Sequence, residues 1–249
     1  MNRFAGALGL LFMVAAMPAI GGVVSVSGDA IVFQAGSDEV NTLLVNGRGG
    51  AFDPNGGTTI NGVTIIDSTA SMLAVAPCRV LLGIAVCEVS GISRAVIHLG
   101  NKNDRVSQVA VGNDLRMNVD GGLGDDTIIG GSLSDTLDGG AGTDTINGGD
   151  GDDLITGGLG DDTINGEQGS DRLFGNAGKD VITGDVGNDE IDGGLGDDTI
   201  DGGQGADVIR GDVGADHIDS KDGFVDNVNC GLGQDSLTRD GNDTVKRCE

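Results

Sequence analysis

The sequence predicts an all-β protein whose larger part is a solenoid of short stacked strands. From Gly121 to Asp219 the chain repeats every nine residues, eleven times, without an insertion. In each unit the eighth place is Ile or Leu and its neighbours are mostly polar, which is the alternation of a half-buried strand. The 249 residues include 48 Gly and no Trp or Tyr, so the chain lacks the large side chains from which a globular domain builds one core. A fixed short period signals stacked units, each burying its apolar face against the next.

The charge and the ends of the chain narrow the class. High Gly with a formal net charge of -25 also fits disorder, but the regular Ile spacing argues for order. The acidity disfavours nucleic acid and anionic membranes and favours cations. Met1-Asn2-Arg3 is a positive start, an apolar run follows from Phe4 to about Met17, and Pro18-Ala19-Ile20-Gly21-Gly22 offers small residues for cleavage. Residues 1–21 therefore read as a signal peptide, too short for a comfortable span, and the expectation is a secreted, extracellular protein without membrane insertion. The four cysteines permit three pairings. The local pairs Cys78–Cys87 and Cys230–Cys248 are favoured, because each lies in one module and an exported chain meets oxidant.

Between the ends, residues 22–98 read as an N-terminal β module. Its candidate strands are Val23-Val24-Ser25-Val26, Ala30-Ile31-Val32-Phe33, Thr42-Leu43-Leu44-Val45 and Ala95-Val96-Ile97-His98-Leu99. Residues 99–219 read as the repeat body, regular over 121–219, and residues 220–249 as degenerate repeats and a C-terminal cap. Leu99 to Val106 is a broken copy, and Gly112 to Asp120 keeps the spacing but carries Met117 where Asp belongs. Downstream, Asp226/Val228, Asp235/Leu237 and Asp243/Val245 continue the pattern with slips. Atypical ends are expected of a solenoid, whose last units must face water.

The first place of every unit is Gly, and the fourth is Gly except at Leu133. The sixth is always Asp: Asp126, Asp135, Asp144, Asp153, Asp162, Asp171, Asp180, Asp189, Asp198, Asp207 and Asp216. Glycines allow a tight turn with carbonyls free to face an ion, and aspartate adds the hard, negative oxygen that Ca²⁺ takes. One such Asp would be a turn residue; eleven in register with Gly and Ile point to metal ligands.

This GGxGxDxUx pattern resembles the hemolysin-type calcium-binding repeat of repeats-in-toxin proteins. The resemblance implies a parallel β-roll with two nonapeptides per coil, each GGxGxD half a turn and each xUx half a short strand. Alternate aspartates then stack in two columns, Asp126, Asp144, Asp162, Asp180, Asp198 and Asp216 on one edge and Asp135, Asp153, Asp171, Asp189 and Asp207 on the other. Carboxylates about 4.8 Å apart repel by roughly 3 kcal/mol at an effective dielectric near 20. A divalent cation between turns reverses that sign, which makes Ca²⁺ the expected cofactor and couples its binding to folding. A metal-free ladder would be expected to use neutral Asn. Residues 22–120 also resemble an N-terminal module found beside such repeats in exported bacterial proteins, through Gly28-Asp29-Ala30-Ile31-Val32-Phe33-Gln34-Ala35, Glu39-Val40-Asn41, Ile65-Ile66-Asp67 and the two Cys before Leu99-Gly100-Asn101. That likeness implies a β cap and no chemistry.

No catalytic constellation stands out. The two histidines, His98 and His217, lack a His-Glu-x-x-His context, and Gly91-Ile92-Ser93-Arg94-Ala95 departs from Gly-x-Ser-x-Gly. No long apolar pore-forming segment lies outside residues 1–21. The expectation is a secreted, non-enzymatic calcium-binding scaffold that partners calcium ions and a cell surface or polysaccharide, and not nucleic acid. Two rival readings are a small extracellular hydrolase or lyase with its site in residues 22–120, and a flat-face binder of ice or polysaccharide. The latter would use the row Thr127, Thr145, Thr163 and Thr199 with Asn147 and Asn165, which Val181 and His217 interrupt.

Overall fold

The computed structural model describes residues 22–27, 30–35, 42–46, 63–67, 72–74, 78–81, 84–87, 94–109 and 115–248. The signal-peptide reading of residues 1–21, and the resemblance carried by Gly28-Asp29 and Glu39-Val40-Asn41, lie outside them. The described chain is organised into two sheets of twelve strands each. Through the repeats the chain alternates between them: Thr145–Asp150 lies in one sheet, Leu154–Leu159 in the other, and Thr163–Gln168 returns to the first. Same-sheet neighbours are parallel and 18 residues apart, with Thr145 beside Thr163 and Ile146 beside Ile164. Two nonapeptides therefore make one coil, and the fold is the parallel β-roll that the resemblance implies.

The strands are longer than that resemblance implies. Thr145–Asp150 covers places seven to nine of one unit and places one to three of the next. Places two and three still pair across coils, as Gly140 with Gly158 and Ala141 with Leu159, so the turn proper shrinks to places four to six. The Gly142 N–H donates to the Leu159 carbonyl at 2.8 Å and opens that turn.

The place-eight side chains form the core. Ile128, Leu137, Ile146, Ile155 and their successors through Ile218 are 0–1 % exposed, and Val106, Val119 and Val228 extend the series beyond the regular repeats. An 18-residue coil thus buries two apolar side chains of this kind. That is a thin core for the backbone entropy that each coil gives up, and the turns must hold part of the fold.

The strands expected in the N-terminal region are present, and two of them continue the roll. Ala30–Ala35 pairs in parallel with Arg94–His98, and Thr42–Asn46 with Arg105–Val109. Beyond them antiparallel pairing enters, Gly22–Ser27 on Ala30–Ala35 and Val63–Asp67 between Thr42–Asn46 and Ile84–Cys87, while Met72–Ala74 pairs in parallel on Gly22–Ser27. The antiparallel pairs interrupt the 18-residue parallel register at this end of both sheets. The boundary read at residue 98 falls at the end of a strand, Arg94–His98, which pairs on both sides within one sheet. Cys78 and Cys87 occupy directly opposed positions of an antiparallel pair, a register that suits the proposed local bridge.

At the other end the repeat slips. Val228 pairs with Ile209, 19 residues earlier, and with Val245, 17 residues later. The Cys230–Cys248 disulfide closes this last coil, as the local-pairing expectation has it. Replacing both residues by Ser is expected to raise hydrogen exchange across 227–246 and to leave 121–219 protected in calcium. Exchange rising evenly along the whole roll would contradict this placement of the staple.

Candidate metal centre

The place-six aspartates stand in two columns, as expected, and all eleven are buried, at 0–3 % exposure. Each column is a ladder of charge-assisted hydrogen bonds. The Asp126 N–H donates to Asp144 Oδ1 at 2.7 Å, Asp144 N–H to Asp162 Oδ1 at 2.8 Å, and Asp162 N–H to Asp180 Oδ1 at 2.9 Å. The other column repeats this from Asp135 N–H to Asp153 Oδ1 through Asp189 N–H to Asp207 Oδ1. One oxygen of every carboxylate is thereby aimed and satisfied by the coil before it.

The second oxygen is bare. Oδ2 of Asp126, Asp144, Asp153, Asp162, Asp171, Asp180, Asp189, Asp198, Asp207 and Asp216 is buried and accepts no hydrogen bond. Asp135 differs, because its Oδ2 accepts the Gly131 N–H at 2.8 Å. A buried polar atom without a partner costs free energy, and here the cost recurs in register along both edges.

Asp104 and Asp226 share this state, each buried with an unpartnered Oδ2. Period counting misses Asp104, which stands 22 residues before the Asp126 carboxylate that accepts its N–H. Asp226 receives the Asp207 N–H across 19 residues. The legible signal was local: Asp104-Arg105-Val106 and Asp226-Asn227-Val228 keep the Asp-x-apolar spacing of a regular unit. Met117 ends the second column; it is buried, and its N–H still donates to Asp135 Oδ1. Asp243 completes the far end differently, since its Oδ2 accepts the Asp240 N–H and the Ser220 hydroxyl.

The glycines leave room beside the bare oxygens. A Cβ at Gly157 would strike Asp162 Oδ2, and one at Gly121 would strike both Asp126 Oδ2 and the Gly139 carbonyl of the next coil. Place one is therefore Gly because a carboxylate and a carbonyl oxygen converge on that space. Place two adopts positive φ in ten of the eleven regular units, Gly131 excepted, and Gly tolerates that conformation best. Four units carry another residue there, Glu167, Asn176, Asp185 and Asp212, with φ between 66° and 74°. Glu167 is held by local bonds: its N–H donates to Asn165 Oδ1, and its carboxylate accepts from Asn147 Nδ2.

Burial pushes the Asp126, Asp153, Asp162 and Asp189 carboxyls up to about 7. Asp171, Asp198, Asp207 and Asp216 are raised to about 6 for the same reason. In each case the backbone N–H bond opposes the shift, and repulsion from neighbouring carboxylates adds to it. Desolvation, more than the mutual repulsion that the sequence suggested, is the larger penalty on the ionised columns.

Among the described residues, no three carboxylate, His or Cys side chains converge on one point. A cation here would be shared between column carboxylates and backbone carbonyls. Bare hard oxygens, adjacent carbonyls and space where a Cβ would be fit an oxygen-seeking divalent ion. The histidines stand apart, His217 with Nδ1 2.7 Å from Ser236 Oγ and His98 with Nδ1 3.2 Å from Asp120 Oδ2, both on the exposed surface. Thr127, Thr145, Thr163, Val181, Thr199 and His217 align in one cross-strand row.

Two outcomes follow from this geometry. Gly157→Ala, which places a methyl against Asp162 Oδ2, is expected to weaken metal-dependent folding more than Thr163→Ala on the outer face; equal midpoints in a calcium titration would contradict it. The raised carboxyls also set a pH dependence. Their folded values, about 6 to 7, exceed the ordinary 3.8, so the metal-free roll binds protons more tightly than the unfolded chain. Its stability then rises as pH falls through 7 towards 4 and is lowest above 7. Circular dichroism in chelator should show β signal growing from pH 8 to pH 5, while protons competing for the same oxygens raise the calcium midpoint. A flat metal-free signal over that interval would contradict the desolvation account.

The comparison with known families agrees with this reading. A model of the RTX calcium-binding nonapeptide repeat, four copies long, matches residues 120–155, 129–164, 156–191, 165–200 and 192–224. No curated protein and no solved structure matches the chain significantly. Residues 120–224 are an array of RTX calcium-binding nonapeptide repeats.

Proposed function

We propose that this calcium-binding β-roll protein is an exported, extracellular, non-enzymatic scaffold whose roll is ordered by Ca²⁺. Asp126, Asp135, Asp144, Asp153, Asp162, Asp171, Asp180, Asp189, Asp198, Asp207 and Asp216 would hold the ions, with Asp104 and Asp226 extending the two columns. The observation that carries this reading is the repeated bare Oδ2 on buried carboxylates. When bound, calcium supplies two positive charges and accepts six to eight oxygen ligands.

The chain's own residues do the rest. Each Oδ1, pinned by a backbone N–H one coil earlier, fixes the direction of its Oδ2, so little side-chain entropy remains to be lost on binding. Place-one glycines keep the adjoining space open. Because each Asp links its own coil to the previous one, an ion that engages it orders two coils together, and binding along a column is cooperative. Residues 22–98 then act as a cap on one end and residues 220–249 on the other. A cell surface or polysaccharide is the class of partner expected for such a scaffold, with nucleic acid and membrane insertion disfavoured by the net charge of -25.

Circular dichroism during a calcium titration tests this. The wild type is expected to gain β signal cooperatively, with a midpoint at about 10⁻⁴–10⁻³ M, the range of extracellular modules. Asp162→Ala cuts one column in the middle and should raise the midpoint and lower the cooperativity. Asp243→Ala, where both oxygens already have protein donors, should change the midpoint far less. Equal β content in chelator and in millimolar calcium would contradict the reading.

A further inference from the structure

The two edges of the roll differ in a way the calcium site does not use. On the edge of the Asp126 column, place three forms an unbroken ladder: Leu123, Ala141, Leu159, Ala177, Leu195 and Val213, followed by Leu232. The large members are exposed, Leu159 by 64 % and Leu195 by 59 %. The opposite edge carries Asp150, Gln168, Val186 and Gln204 at the same places. A contiguous apolar strip on one edge of so acidic a chain marks an interaction surface.

Alternation along the strip indicates its partner. Leucines recur at every second coil with Ala or Val between them, so the strip has bumps and hollows of one spacing. Beyond the place-four glycine, place five alternates as well, reading Asp125, Thr143, Asp161, Lys179, Asp197 and Ala215. A two-fold axis across the edge, midway between Leu159 and Ala177, lays this edge antiparallel on a second copy. Leu159 then meets Ala177, Leu195 meets Ala141 and Leu123 meets Val213, a large residue over a smaller one each time. The same axis sets Asp161 opposite Lys179, whose Nζ also holds Asp197 of its own chain at 2.6 Å, Asp197 opposite Thr143 and Asp125 opposite Ala215, with no like charges opposed.

The other arrangements fail on the same residues. Centring the axis on Leu159 stacks leucine on leucine and Asp161 on its own copy. A parallel two-fold puts the leucines on Asp125, Asp161 and Asp197. We propose that the Leu123–Val213 edge is an antiparallel homodimer interface, formed once calcium has ordered the roll and therefore resting on the calcium reading. Six positions about 4.8 Å apart give a strip of roughly 300 Å², below the ~800 Å² per partner of a standard interface. The dimer is accordingly weak and concentration-dependent.

Sedimentation velocity of the full chain over a concentration series in millimolar calcium tests this, with circular dichroism confirming that each variant is folded. The wild type should pass from monomer to dimer. Leu159→Asp with Leu195→Asp should abolish the dimer, and Val186→Asp on the other edge should not affect it. Lys179→Glu should weaken it about tenfold or more; being exposed, it serves as the probe should the leucine variants fail to fold. Leu159→Ala and Ala177→Leu should each weaken the dimer, and together they should restore it, because they exchange the facing bump and hollow. A folded wild type that stays monomeric throughout, or a dimer indifferent to these substitutions, overturns the proposal. A chain that is already β-structured and dimeric in chelator speaks against the calcium reading and for the strip.

Discussion

The hydrogen bond from a backbone N–H to the carboxylate one coil later is the interaction on which the rest of this structure depends. It draws a charged group into the turn, where Asp144 is 0 % exposed. It aligns one oxygen along the roll axis and leaves the other without a partner. An asparagine could make the first bond without the cost of burying a charge. Aspartate at all eleven places is what the proposed ligand role expects. Under the proposed function, calcium, which these repeats bind, turns that repeated penalty into a repeated attraction.

The thin core follows from the same geometry. With two inward Ile or Leu side chains per coil, the sheets stay narrow and the turns remain close to one another along each edge. Stability is then distributed as contacts between neighbouring coils, in the manner of a one-dimensional array. Such an array is vulnerable at its ends. At one end the parallel register is broken by antiparallel pairs, and the other is closed by Cys230–Cys248. The two edges carry equivalent carboxylate ladders but different outer residues.

Most of this was legible in the sequence, and the exceptions have physical causes. Place eight predicted the core of the regular repeats, and place six, with the two units per coil that the family resemblance implied, predicted both columns. The strand length was not legible: Gly-Gly reads as turn, yet its backbone still pairs across coils in pairs such as Gly140 and Gly158. The continuation to Asp104 was hidden by a 22-residue coil, whose extra residues break the count without moving the carboxylate from its column. Desolvation as the first penalty on the carboxylates was also beyond the sequence, since it depends on how deeply the turn encloses Oδ2. The alternation of Leu and Ala at place three was visible from the start, and it became meaningful only when the coils stacked it into a strip.

The central claim is that the bare Oδ2 atoms of the two columns are calcium ligands. Its most direct test is a crystal structure grown in calcium, with an anomalous difference map collected at a wavelength where calcium scatters anomalously. The account predicts peaks repeating once per coil beside the place-six carboxylates on both edges, each within bonding distance of an Oδ2 that accepts no hydrogen bond. A folded roll with no density beside these oxygens, or with calcium bound only elsewhere, would contradict it.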